Sequence, residues 1–138
     1  MKTAEWFACL SFGKYDILFP REAVLECRYG ADAAAEIKWN DAFIRPLNFD
    51  GILEKKFGFT ISGSLNCTLI LNGTYDYAVQ TEAVPSMTEI ALSEFRPVSG
   101  LAGGFLLSSG IIAFRFQHDR IQYVVDVQKL AEKSGADA

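Results

Sequence analysis

Apolar residues along this chain come in short runs separated by turn residues. Runs at 5–12, 15–19, 23–27, 43–49, 67–71, 75–79, 104–107, 111–116 and 121–127 are rich in Phe, Ile, Val and Tyr, and each reads as a strand. Asn72-Gly73 lies between two such runs and predicts a tight hairpin, because both residue types accept positive φ. Asn40-Asp41 and His118-Asp119 read as two further turns. Short helices are expected at 51–57 and 127–133, each with Lys in its last turn. Strands recurring roughly every 8–12 residues predict an all-β barrel or sandwich.

A repeat sharpens this pattern. Gly13-Lys-Tyr-Asp-Ile-Leu-Phe-Pro-Arg-Glu-Ala-Val24 aligns without gaps on Gly73-Thr-Tyr-Asp-Tyr-Ala-Val-Gln-Thr-Glu-Ala-Val84, with six of twelve residues identical at an offset of 60. Phe43, Arg45, Leu47 and Phe49 match Ile121, Tyr123, Val125 and Val127 at an offset of 78. Two copies of one small β-unit are therefore expected, each marginal alone because a lobe of that size buries too little surface. The expected organisation is a single domain, 1–138, with lobes interleaved in sequence at approximately 14–66 and 67–127. The N-terminal strand and C-terminal helix would complete them.

Composition adds what must be buried. Half of the residues are hydrophobic and 13% are aromatic, which excludes disorder. The apolar surplus points to a seam between the lobes and to a surface facing a partner. Net charge is −4, and no basic run exceeds Lys55-Lys56, so a nucleic-acid surface is not expected. Cys9, Cys27 and Cys67 form no CxxC pair, which argues against zinc or a redox motif. Their sparse, odd number fits a reducing, cytoplasmic setting with thiols acting as small core hydrophobes. No signal peptide is expected, since Lys2 alone precedes the first apolar run and no small-residue cleavage site follows. Residues 97–114 carry no charge over 18 positions, yet four glycines, three serines and Pro97 suit two strands around a turn better than a membrane helix.

Candidate chemistry is thin, and the chain reads as a non-enzyme. His118 is the single histidine and sits in a turn, and no nucleophile lies in an elbow context. The run Gly100-Leu-Ala-Gly-Gly104 lacks the Lys-Ser/Thr and helix of a phosphate loop. No cofactor or metal is expected. The sequons at Asn66 and Asn72 read as incidental.

Five motifs in order carry a family resemblance over residues 5–132. They are Glu5-Trp-Phe-Ala-Cys-Leu-Ser-Phe-Gly-Lys-Tyr15, Phe19-Pro-Arg-Glu-Ala-Val-Leu-Glu26, Ile44-Arg-Pro-Leu-Asn-Phe49 with Glu54-Lys-Lys-Phe-Gly58, Ala78-Val-Gln-Thr-Glu-Ala-Val84, and Arg120-Ile-Gln-Tyr-Val-Val-Asp-Val-Gln-Lys-Leu130. In this order the chain resembles the CheW-like domains, the adaptor modules of bacterial chemosensory arrays.

The resemblance implies a fold of two packed, SH3-like five-stranded barrels, pseudo-repeated. It also implies a non-enzymatic chemotaxis adaptor, coupling a chemoreceptor cytoplasmic helical hairpin to a histidine autokinase, without membrane insertion. The receptor hairpin would lie in an apolar groove between the lobes, with Val24, Glu26 and Val84 at matching groove positions. The family's Asn-Leu-Arg-Gly turn is replaced by Lys38-Trp-Asn-Asp41, so its basic coupling residue becomes Asn40 or Asp41, a loss or reversal of charge. Ala78 and Asn48 also depart from the family pattern, and these changes bear on the partner set more than on the fold. Two rival readings remain at this point. One is a small apolar-ligand-binding β protein using Trp39, Phe43 and Tyr77. The other is a structural array component interlocking with other CheW-like domains.

Overall fold

The computed structural model describes residues 3–12, 14–29, 36–48, 67–73, 75–81, 85–97 and 110–128. The described residues are mostly strand, in the order β1 (Ala4–Phe12), β2 (Tyr15–Pro20), β3 (Val24–Tyr29), β4 (Ile37–Trp39), β5 (Ala42–Ile44), β6 (Leu47–Asn48), β7 (Cys67–Asn72), β8 (Asp76–Thr81), β9 (Ser86–Ala91), β10 (Arg96–Pro97), β11 (Ile111–Gln117) and β12 (Arg120–Val125). Two single-turn 3-10 helices, Arg21–Ala23 and Leu92–Glu94, interrupt them. The expected strand at 104–107 and helix at 51–57 lie outside the described residues. So does the helix at 127–133, save for its helical start at 127 and 128.

One sheet has six strands in the order β10-β11-β12-β2-β1-β9, and a second has four in the order β3-β7-β8-β6. A separate β4–β5 ribbon packs Ile37, Trp39 and Ile44 onto Ile70 and Ala78 of the second sheet. Each sheet draws strands from both the early and the late part of the chain.

The repeat is visible in the pairing. β2 is antiparallel to β1 and parallel to β12, while β8 is antiparallel to β7 and parallel to β6. Leu47 faces Val79; moved by the two sequence offsets, these become Val125 and Phe19, the pair that continues the Val124–Leu18 register. The ribbon pair Ile37–Ile44 likewise maps onto Arg115–Gln122, which face each other across β11 and β12. Apolar partners in one lobe thus stand where polar partners stand in the other.

Three local expectations change in the structure. Neither Asn72 nor Gly73 adopts positive φ; Asn72 pairs with Asp76, so the hairpin tip is the three residues 73–75. The left-handed turn is instead at Asn40 and Asp41, with φ of 49° and 62°. The run at 43–49 splits into β5 and β6 around Arg45-Pro46, since Pro46 has no N–H for the ladder. The strand expected from 23 starts at Val24, after the 3-10 turn. Because a left-handed conformation strains a side-chain-bearing residue, Asp41→Gly is expected to stabilise the chain by about 0.5–1 kcal/mol, read by urea denaturation.

The apolar residues divide among three cores. The largest is a seam joining both sheets: Ala8, Leu10, Ile17 and Phe19 from the first meet Leu69, Leu71, Tyr77 and Val79 from the second. Phe7, Cys9, Leu18, Ile90 and Val124 fill the first lobe, and the ribbon cluster fills the second. β1 sends even-numbered residues to the seam and odd-numbered ones into its own lobe. Both faces are therefore buried, which explains its continuous apolar run. No helix among the described residues is long and apolar enough to cross a membrane; 98–109 of the charge-free stretch lie outside them.

Candidate functional site

The chain leaves β2 at the seam through Pro20, whose φ of −52° starts the 3-10 turn Arg21–Ala23. On the other lobe β7 ends at Asn72. Beyond β12, Asp126 donates its N–H to the Gly110 carbonyl at 2.8 Å, and its carboxylate accepts the Gln128 N–H at 3.0 Å, starting the next turn. These segments enclose a hollow of about 490 Å³ lined by Pro20, Glu22, Ala23, Asn72, Ile112 and residues 125–128. Its walls come from both sheets, so it is an inter-lobe feature. Tyr77 of β8 anchors it from beneath, donating its phenol to the Val127 carbonyl at 2.6 Å. Burial, with Asp126 and Tyr75 adding to it, pushes that phenol above its ordinary pKa, so it stays a neutral donor. A second hollow of about 340 Å³, lined by Ala4, Glu5, Trp6, Arg21 and Glu22, shares Glu22 with the first. The turn after β2 therefore divides two concave surfaces.

The sequence-derived residues fall in different places. Val24 opens β3 next to Ala23, is half-buried, and packs against the seam core opposite Leu71. Glu26 is half-exposed and ion-paired to Arg28 at 2.5 Å. Asn40 and Asp41 are exposed at the tip of the β4–β5 ribbon and do not line the inter-lobe hollow. Val84 lies outside the described residues.

Trp39, Phe43 and Tyr77 stand in separate surroundings. Tyr77 is in the seam, Trp39 donates to Asp76 at 2.9 Å, and Phe43 projects from the ribbon. His118 is an exposed turn residue with φ of 57°. The lining residues not anticipated as a site are Pro20, Glu22, Ala23, Asn72, Ile112 and the 125–128 segment. Glu22-Ala23 stood within the repeat and Val125-Asp126 within the last motif, so part of the signal was present. Ile112 carried none.

Electrostatics concentrate elsewhere in the first lobe. Asp16, nearly inaccessible, accepts from Arg120 through Nε and through a terminal nitrogen at 2.5 Å, and from Gln122 at 2.9 Å. Gln122 in turn accepts from Arg115 at 2.5 Å, and Arg115 is ion-paired to Glu94. Burial alone would raise the Asp16 carboxyl. The hydrogen bonds from Arg120, Gln122 and Ser11 outweigh it and hold the group below the usual carboxylate range. In the second lobe the repeat-equivalent Asp76 binds Trp39 instead. Both aspartates tie a hairpin arm to the central strand of their lobe, a structural task.

Two all-β lobes sharing one seam, with a concave rim between them, define a CheW-like fold. The crystal structure of the scaffolding protein TtCheW from Thermoanaerobacter tengcongensis matches with a TM-score of 0.71, covering 94% of this chain and 89% of that one at 12% sequence identity. No family model matches the sequence. No curated protein matches it either. The all-β, pseudo-repeated, CheW-like architecture expected from the sequence is thus the one observed.

Proposed function

We propose that this chain is a non-enzymatic adaptor of a chemosensory array, docking a receptor's helical hairpin on the inter-lobe rim and a histidine autokinase elsewhere on its surface. The reading rests chiefly on the hollow between the lobes, where Ala23, Ile112, Val125 and Val127 offer an apolar wall on a CheW-like scaffold. A helix laying its apolar face into such a groove is a recurrent recognition mode. Glu22 and Asp126 on the rim would favour a partner with basic residues flanking its apolar stripe. Within this reading Val24 and Val84 border the groove as equivalent repeat positions, Glu26 is a rim contact, and Asn40 and Asp41 mark an altered kinase-side turn. The adaptor works in the cytoplasm.

Co-sedimentation with receptor cytoplasmic fragments and the pathway's kinase tests the proposal. Absence of binding to both at about tens of micromolar ends it. Ile112→Asp and Val24→Asp are each expected to weaken receptor binding by about tenfold or more, roughly 1.4 kcal/mol, with the circular dichroism spectrum retained. Ile112 is partly exposed, so its substitution probes the groove without disturbing the core. A Val24→Asp chain that unfolds assigns Val24 to packing alone.

A further inference from the structure

Cys27 sits in the middle of β3, the outer strand of the second sheet, and Cys67 opens β7 beside it. The register places Cys27 opposite Leu69 and Cys67 opposite Tyr29, so the cysteines are one diagonal step apart and project to the same seam-facing side. Their sulfurs are 3.2 Å apart as free thiols. The third thiol, Cys9, lies on β1 with Ser11 as its polar neighbour, away from this pair. Cys27 is partly accessible, whereas Cys67 is fully buried. One sulfur can meet a small solute while the other waits behind it.

We propose that Cys27 and Cys67 form a reversible redox pair that closes to a disulfide on exposure to hydrogen peroxide. The Cys27 sulfur attacks a peroxide oxygen, the O–O bond breaks, and the thiol proton leaves with the departing oxygen as water, giving a sulfenic acid. The Cys67 sulfur then attacks that sulfur, the S–O bond breaks, and the Cys67 proton leaves with the hydroxyl as a second water. Two thiols are oxidised by two electrons in total, and one peroxide is reduced to two waters.

Burial, together with the neighbouring Cys27 sulfur, pushes the Cys67 thiol up to about 12, so it is a poor first nucleophile. The product staples the outer strand β3 to β7 at the edge of the seam. In a reducing compartment such a bond is transient: two small-molecule thiols return it to Cys27 and Cys67 thiols by exchange and are themselves joined as a disulfide. The inference is independent of the docking proposal.

The test treats the folded full-length chain with hydrogen peroxide, blocks remaining thiols with an alkylating agent, and measures intact mass and non-reducing peptide maps. A loss of about 2 Da, a single Cys27–Cys67 linked peptide, an alkylated Cys9, and full reversal by dithiothreitol are expected. Cys27→Ser, at a partly exposed site, should keep the fold and abolish the linkage; Cys67→Ala checks the other partner. A gain of about 32 Da on Cys27, a linkage through Cys9, disulfide-linked dimers, or an unchanged mass would each overturn the assignment.

Discussion

Replacing Phe19 by alanine is expected to remove about 3–5 kcal/mol of folding stability, the largest loss from any single truncation considered. Phe19 is fully buried and belongs to the seam in which both sheets meet. Its removal costs the transfer free energy of the ring and opens a cavity that strands held from two sides cannot close. Against a typical domain stability of about 5–15 kcal/mol, that brings the chain near its unfolding threshold. Urea denaturation followed by fluorescence and circular dichroism would measure it, with Phe116→Ala as a control. Phe116 is 63% exposed, so its truncation should stay within about 0.5 kcal/mol. Because the seam is the largest of the three cores and both sheets contribute to it, the two probes should report one coincident transition. Separate transitions would show that the lobes fold independently.

The second large effect is expected at Asp16. Asp16→Ala strands the Arg120 guanidinium and the Gln122 amide that it accepts from. Removal of one partner from a buried, charge-assisted network is costly, but the Arg120 side chain is one-third exposed and water relieves part of the penalty. A loss of about 2–3 kcal/mol is expected, with Asp16→Asn milder because it keeps an acceptor. The same group sets a pH dependence. Its carboxyl titrates below the usual carboxylate value of about 3.9 in the folded chain and near that value when unfolded. Its stabilising contribution is therefore fully present above about pH 4–5. It falls away as acid is added through that value towards the folded one, where only the unfolded chain binds the proton. In Asp16→Ala this part of the acid slope should vanish, which a stability series against pH would read.

Much of the architecture was legible because the central strands are buried on both faces. β1, β2, β7 and β8 read as apolar runs, and the offset of 60 placed β2 and β8 in equivalent positions before any pairing was seen. The strands that escaped are those whose environment hides the pattern. β9, Ser-Met-Thr-Glu-Ile-Ala, lies at a sheet edge and buries only Ile90; β10 is two residues long; and β4 is a three-residue ribbon strand. Asn72-Gly73 marked the hairpin correctly but not its geometry, since the second copy has a three-residue tip where the first has the two residues 13–14. The inter-lobe hollow was only partly legible. Ala23 and Asp126 lie within motifs that were read but were not picked out as a site, because a concavity assembled from four chain segments depends on how far apart the sheets pack, and no local pattern encodes that distance.

The Arg115–Gln122 pair of the first lobe and the Ile37–Ile44 pair of the second have a consequence for assembly. Two arms that share a register at these pairs face two similar hairpins, so each arm has a wrong host within the same molecule. An arm carrying Arg115 and Gln122, seated against Ile70 and Ala78, would set a guanidinium on an apolar face and part it from Glu94, its ion-pair partner. The arm carrying Ile37 and Ile44, seated against Asp16, would exchange the Arg120 and Gln122 donors for the single indole of Trp39. Either exchange leaves buried polar groups with fewer partners than the observed assignment gives them. The divergence between the copies thus works as an address, keeping an internally duplicated chain from folding onto its own twin.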